Sequence, residues 1–294
     1  MSTLRRANIF DVGKLLFVGA LWGGSFIFIS HALVSFGPVT IASGRISLAA
    51  LVLLLICFFS GRSLPRDSRD WTKLMLIGAL NSALPFFLIS WGLQFVSVSE
   101  SALLLASGSF VSMIISHYVS PDERINFSRA LGVSVGFCGV LVLVIAELLE
   151  TGPGGMKGQI AIITAGISYS ISSVMIRRIS HLPSVTATAS ILLSASVYML
   201  PLAFILEQPI NYDANLLAVL SIVCLGVVAT ALAYVIRLGI IRDNGAVFMS
   251  QVGYLVPLFG VFWGWLLLSE ALEAKTLIAL GTILVGIAIT RRAT

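Results

Sequence analysis

Residues Leu21–Phe28 read LWGGSFIF, inside a run with no charged side chain between Lys14 and Arg45. A stretch oily enough for a membrane core therefore puts Trp22, Gly23, Gly24 and Ser25 at its centre, where a lipid-facing helix would carry Leu or Val. Gly19 and Gly23 are four apart and share a helix face, where small residues let a neighbouring backbone approach. Trp22 and Ser25 are three apart and share another face, where an indole and a hydroxyl can meet a common space. Two readings of Trp22 stand, a gap-filler between helices or a cavity wall. The cavity is favoured, because a Trp near mid-bilayer needs a partner for its N–H.

The rest of the chain has the same character. Hydrophobic residues make up 58% of the 294 and charged ones 11%, with a mean hydropathy of +1.03, a composition that excludes a soluble globular domain. A membrane-spanning helix needs about 20 mostly apolar residues. Breaking the chain at its charges and its Pro, Gly and Asn clusters leaves ten such stretches: 15–33, 38–59, 74–95, 99–117, 129–146, 159–176, 184–206, 216–238, 245–268 and 275–290. The first is long and lacks a small-residue cleavage site, so it reads as a retained helix rather than a signal peptide.

Basic residues test the count, because short cytoplasmic loops collect Lys and Arg. With the N-terminus inside, the cytoplasmic segments hold fifteen of the 18 Lys and Arg, among them Arg62, Arg66, Arg69 and Lys73, then Arg124 and Arg129, and finally Arg291 and Arg292. The outer loops hold Lys157 and Lys275, and Arg45 lies inside a helix. One missed or invented helix would scramble this alternation, so the reading is ten helices with both termini cytoplasmic. The net charge of +5 reports topology and not a nucleic-acid partner, since no basic stripe exists. Cys57, Cys138 and Cys224 fall within expected helices in no metal or redox spacing.

A shift of 147 residues aligns the chain with itself without gaps: Gly19 with Gly166, Ser25 with Ser172, Ser47 with Ser194, Gly92 with Gly239, Glu123 with Glu270, Gly139 with Gly286, and Trp22 with Tyr169. Gly and Ser coincide by chance in so small-residue-rich a chain. Glu does not, and each of Glu123 and Glu270 follows a helix and precedes a Gly by 16 residues. The offset is half the length, so each half, 1–146 and 159–294 about an external linker at 147–158, holds five helices. An odd number makes the second half enter the membrane from the opposite side, and an inverted repeat of this kind lets one site face two sides in turn.

The stretch ALWGGSFIFIS resembles the first helix of the EamA family of the drug/metabolite transporter superfamily. GVVATALAYVIRLGI resembles its eighth helix, and NGAVFMSQVGYLVPLFGVFWGWLLLSEALEAKTLIALGTILVGIAI its ninth and tenth. Gly245, Ala246, Pro257, Gly260, Gly264, Glu270, Gly281 and Gly286 fall where the family places them. The resemblance spans nearly the whole chain. It implies two inverted five-helix halves that export small metabolites through a cavity lined by helices 1, 3, 4, 6, 8 and 9, nearest to bacterial exporters of aromatic and other neutral amino acids, and hence a place in a bacterial inner membrane. The family's Gly before the glutamate is Ser269 in one half and Asp122 in the other. Phe110 stands where the repeat mate has Pro257, so the halves are expected to bend differently.

Candidate substrate contacts follow from polar and aromatic groups at depth: Trp22, Ser25, Asn81, Pro85, Phe86, Tyr169, Ser172, Thr230, Tyr234, Gln251 and Tyr254. Pro85 removes a backbone donor and frees a carbonyl one turn earlier, near Asn81, which is tolerated where backbone packs on protein or lines a cavity. Thr230, Tyr234 and Arg237 share one face of the eighth helix. Gln251 is costly to leave unpaired in an apolar helix, so its amide meets either a ligand or another helix. Structural or gating roles are expected for Arg45, Glu123, Pro257 and Glu270. Arg45 is expected to snorkel outward or to pair with Glu100 or Glu270, structural pairing being favoured over substrate contact. The two repeat-matched glutamates are read as supports of the hinge between their flanking helices. Gly132, Gly136, Gly139, Gly281 and Gly286 read as scaffold seams, with a homodimer contact as a secondary reading.

All 13 acidic residues fall in loops or at helix ends, so a proton or sodium relay has no seat at the midplane. Aromatic walls with few fixed charges suit a neutral or zwitterionic solute, a neutral or aromatic amino acid first. Export of drugs or cationic aromatic compounds is the alternative, and an uncoupled facilitator shares every feature. A phosphate dianion would need several basic groups at depth. An enzyme embedded in the membrane is disfavoured, because the chain has no His-Glu-x-x-His, no paired carboxylates and no His or Cys cluster. Neither a cofactor nor a metal is expected.

Overall fold

The computed structural model describes residues 7–119, 126–152, 156–209 and 214–292. Among them run ten long helices: α1 (Ile9–Ala32), α2 (Pro38–Phe59), α3 (Ser68–Gly92), α4 (Val98–Val119), α5 (Phe127–Thr151), α6 (Lys157–Ile179), α7 (Ser184–Leu206), α8 (Leu216–Asn244), α9 (Val252–Leu268) and α10 (Ala274–Arg292). The first eight each contain a stretch long and apolar enough to cross a bilayer, and α9 and α10 are shorter apolar helices. Starts are set by local chemistry. Asn8 and Asp11 cap each other's backbone N–H at α1, Pro38 opens α2 with its fixed φ, and Asn215 accepts from the Ala218 N–H at α8.

The described ends of α1 and α10 lie at one end of the bundle, here the terminal end; the opposite, far end carries the α1–α2, α3–α4, α7–α8 and α9–α10 turns. Packing follows the repeat. Helix α1 lies along α9, and its repeat mate α6 lies along α4; α2 packs on α8, and α7 on α3; α2 pairs with α7, α4 with α9, and α5 with α10. Small residues permit the closest approaches. A Cβ on Gly23 would lie 2.8 Å from the Gly260 nitrogen, and one on Gly108 would lie 2.8 Å from the Gly166 carbonyl oxygen. The α5–α10 seam is built from Gly132, Gly136, Gly139 and Gly286, a Cβ on Gly286 reaching to 2.5 Å from the Gly136 nitrogen. Gly281 is not part of it: it is exposed, with nothing within 4 Å of an added Cβ.

Two helices are wound more loosely at mid-length. In α3 a π-helical segment covers Ala79–Ala83, and in α8 one covers Cys224–Leu232. A shift of 147 superposes the first on residues 226–230 of the second, so the defect is repeated. The expected ninth helix, 245–268, is broken: a turn at Ala246–Met249 precedes α9 proper. Pro257 sits inside α9, while Phe110 at the matching place presses its ring on Gly136 of α5. The two halves thus carry different residues at this place.

Candidate transport site

The π segments matter because each leaves carbonyl oxygens open to other helices. Trp22 Nε1 in α1 donates to the Ala229 carbonyl in α8, at 3.1 Å. Ser168 Oγ in α6, next to the repeat mate of Trp22, donates to the Leu80 carbonyl in α3, at 2.7 Å. The first helix of each half is therefore tied to the loosened third helix of the other.

Around these ties the structure gathers two aromatic pairs, each crossing between halves. Trp22 meets Tyr234 edge-on with ring centroids 6.2 Å apart, and Phe86 meets Tyr169 in the same manner at 6.4 Å. Asn81 is half-buried beside Tyr169, its Oδ1 accepting from Ser172 Oγ at 3.1 Å. Neither phenol hydroxyl, of Tyr169 or of Tyr234, has a hydrogen-bond partner among the described residues.

Arg45 lies among them. It is 7% exposed, so it does not snorkel. Its Nε donates to Thr230 Oγ1 at 2.9 Å, and its guanidinium carbon lies 3.9 Å from the centroid of the Phe86 ring. Thr230 in turn donates to the Leu225 carbonyl in the same π segment, at 2.7 Å. The expected pairing with Glu100 or Glu270 is overturned, because both carboxylates are committed elsewhere: Glu100 accepts from Gln159 Nε2, and Glu270 caps α4.

Glu270 does not brace the α9–α10 hinge either. Its carboxylate accepts from the backbone N–H of Val98 (2.7 Å) and Ser99 (2.9 Å) and from Ser99 Oγ (2.6 Å), capping the α4 N-terminus where the helix dipole favours an anion. Sequence reasoning missed its counterpart, Glu207, which accepts from Val39 and Thr40 N–H (3.0 and 2.7 Å) at the start of α2. Each carboxylate fits against a glycine, Glu207 on Gly37 and Glu270 on Gly264. Each also adjoins a non-Gly residue with left-handed backbone, Gln208 (φ 45) and Ser269 (φ 55). The signal for Glu207 was its place at a helix end, the same as that of Glu270. Glu123 lies outside the described residues.

The remaining candidates separate from the cluster. Ser25 Oγ is spent on the carbonyl of Trp22 at 2.7 Å, just as Ser172 Oγ binds that of Tyr169 at 2.8 Å. Pro85 is buried in the helical turn that follows the α3 π segment; it has no N–H to offer the Leu80 carbonyl five residues back, which accepts from Ser168 instead. Tyr254 turns away and donates to the Ile287 carbonyl of α10 at 3.0 Å. Gln251 is exposed at the break before α9, so the costly buried amide expected there does not arise.

The profile of the EamA-like transporter family matches residues 12–145 and again residues 156–292. An uncharacterized transporter of Bacillus subtilis (strain 168), YoaV, is 23% identical over 272 residues, covering 92% of each chain. A S-adenosylmethionine/S-adenosylhomocysteine transporter of Chlamydia muridarum is 25% identical over 300 residues, covering 97% of this chain and 94% of its own. A solved crystal structure superposes with a TM-score of 0.71 at 17% identity, over 98% of this chain and 99% of that one, a likeness of fold. With both halves matched by one family profile, and ten apolar helices packed as an inverted pair, the chain is a multi-pass membrane protein that belongs to the EamA-like transporter family.

Proposed function

We propose that this protein exports small metabolites, neutral and aromatic amino acids first, by exposing the cluster of Trp22, Asn81, Phe86, Tyr169, Thr230 and Tyr234 alternately to the two sides of a bacterial inner membrane. The observation that carries the reading is the pair of aromatic contacts, Trp22–Tyr234 and Phe86–Tyr169, each joining one half to the other at a loosened helix. Rings that meet across a pseudo-twofold interface separate when one half rocks against the other, and two π segments supply backbone that can rewind there. Pro257 and the caps made by Glu270 and Glu207 are the flex point and the far-end fastenings of that motion. The excess of Lys and Arg in alternate loops supports cytoplasmic termini, and the aromatic cluster suits a carrier better than an enzyme.

A second reading has its own support. S-adenosylmethionine and S-adenosylhomocysteine, the solutes in the name of the chlamydial relative, each join an aromatic base to an amino-acid end, and a cage of four rings suits the base as well as an indole. Export of cationic drugs that carry no carboxylate is less favoured, because Arg45 puts a fixed positive charge in the cage and such solutes offer it no anion.

Flux of labelled phenylalanine, tryptophan, leucine and S-adenosylmethionine into liposomes holding the purified protein tests the reading. Wild-type flux of an amino acid that falls at least about tenfold in Trp22→Ala and persists in Gln251→Ala is the expected result. Flux of S-adenosylmethionine alone would move the cargo to the second reading, and flux of none of the four would remove the amino-acid assignment.

A further inference from the structure

Arg45 is a buried cation without a counter-charge. Among the described residues no carboxylate lies within 4.0 Å of it, and its only hydrogen bond is the one from Nε to Thr230. Removing a guanidinium from water costs heavily unless its donors are met. Charged side chains within membrane helices accordingly pair with one another or mark a solute path. The polar groups of the neighbouring helices are bonded to one another instead: Asn81 Oδ1 accepts from Ser172, the Leu225 carbonyl from Thr230 and the Ala229 carbonyl from Trp22.

The geometry also shows which part of the guanidinium is held and which is offered. Thr230 fixes Nε on one side, and Phe86 covers a face of the plane at 3.9 Å. Both terminal nitrogens remain without partners among the described residues, beside a ring, Phe86, that itself meets Tyr169. Two parallel N–H donors on one edge match the two oxygens of a carboxylate. The other basic group beside the cluster, Arg237, lies 5.6 Å from the Tyr234 ring centroid, so a phosphate dianion is the competing ligand to test.

We infer that Arg45 is the specificity residue of the transport site, its terminal nitrogens binding the carboxylate of a monoanionic or zwitterionic solute whose apolar body lies between the Trp22–Tyr234 and Phe86–Tyr169 pairs. The inference rests on the transporter reading above but not on an amino acid as cargo. The repeat mate of Arg45 is Leu192, so this charge is not repeated in the other half and orients the solute one way.

Four probes separate the groups involved: phenylalanine, 3-phenylpropanoate, phenylalaninamide and 3-phenylpropanamide. Their apparent Kd values are read from the shift in thermal unfolding of the full-length protein in nanodiscs, with sodium chloride and sodium phosphate as anion controls. In the wild type each acid binds at least about tenfold tighter than its amide, the worth of a charge-assisted pair. Arg45→Gln brings that ratio to about one while leaving the amides unchanged, and Arg45→Lys retains part of it. Thr230→Val keeps the charge but frees Nε, and lowers the ratio severalfold; it serves equally if Arg45→Gln does not fold. Equal binding of acid and amide in the wild type, an unchanged ratio in the variants, no binding of either acid, or phosphate binding as tightly as 3-phenylpropanoate would each overturn the assignment. Arg45-dependent binding of 3-phenylpropanoate without any phenylalanine flux would keep the carboxylate site and remove the amino-acid cargo. Phenylalanine flux blocked equally by acid and amide would do the reverse.

Discussion

At matching positions 147 residues apart, α2 carries Arg45 and α7 carries Leu192. Both are buried, at 7% and 1% exposure, on helices that pack against each other and against the loosened third helix of the opposite half. The same comparison holds for the first helices. Trp22 binds the π segment of α8 through its own N–H, whereas in the other half Ser168 makes the equivalent bond to α3 and the neighbouring Tyr169 keeps its hydroxyl without a partner. The backbone is thus nearly twofold while the chemistry is single. A carrier needs the first to have two equivalent states, and it needs the second to bind one solute in one orientation. Repeating the site chemistry in both halves would place two like charges in one cage.

That contrast can be broken at its strongest point. Leu192→Arg gives α7 the charge of α2 in the packed α2–α7 core, where Leu192 lies among Ala49, Leu53 and Ala195. An uncompensated charge there is expected to cost about 3–5 kcal/mol, read as loss of monodisperse protein or a collapsed unfolding midpoint. A protein as stable as the wild type would show that α7 can reach solvent or a counter-charge, and that Arg45 is not special.

Next in size is the helix contact itself. Gly19 of α1 meets Leu255 of α9, and the mates of this pair are Gly166 and Gly108, which touch backbone to backbone. Gly108→Leu copies the other half, yet the Gly166 carbonyl lies only 2.8 Å from an added Cβ. Overpacking there is expected to cost about 2–3 kcal/mol, measured by thermal unfolding in detergent. A neutral result would mean that the two helix pairs can exchange spacings, and the contact asymmetry would lose its meaning.

The smallest effect sharpens the comparison most. Trp22→Phe removes the donor to the Ala229 carbonyl and is expected to lower stability by about 1 kcal/mol. Tyr169→Phe removes a hydroxyl with no partner and should change stability by less than about 0.5 kcal/mol, its consequence appearing in solute affinity instead. Equal stability losses in the two variants would mean that the tie between halves is not carried by Trp22.

Hydropathy, the loop charges and the 147-residue offset were enough to read ten helices and the inverted pair, because spanning length and the cost of burying loops are properties of the chain alone. Most of the cluster was also legible: Trp22, Asn81, Phe86, Tyr169, Thr230 and Tyr234 are polar or aromatic groups at depth, and such groups need partners. Helical spacing reports which face a residue occupies but not which helix faces it. Tyr254 therefore pointed to a cavity and in fact binds α10, and Gln251 lies in a broken turn with its side chain exposed. Pro85 signalled the loosened segment of α3, while its counterpart in α8 has no proline and gave no sign.

What the sequence determined by itself was the number of helices, their alternation and the repeat, since each depends on composition summed over about 20 residues at a time. What tertiary structure decided was the partner of every buried polar group. Glu207 and Glu270 cap helices 167 to 172 residues away in the chain, and Arg45 meets a hydroxyl and a ring where a carboxylate was expected. Those choices turn on distances of a few ångströms between helices remote in sequence, and electrostatic and hydrogen-bond energies fall off over that same range.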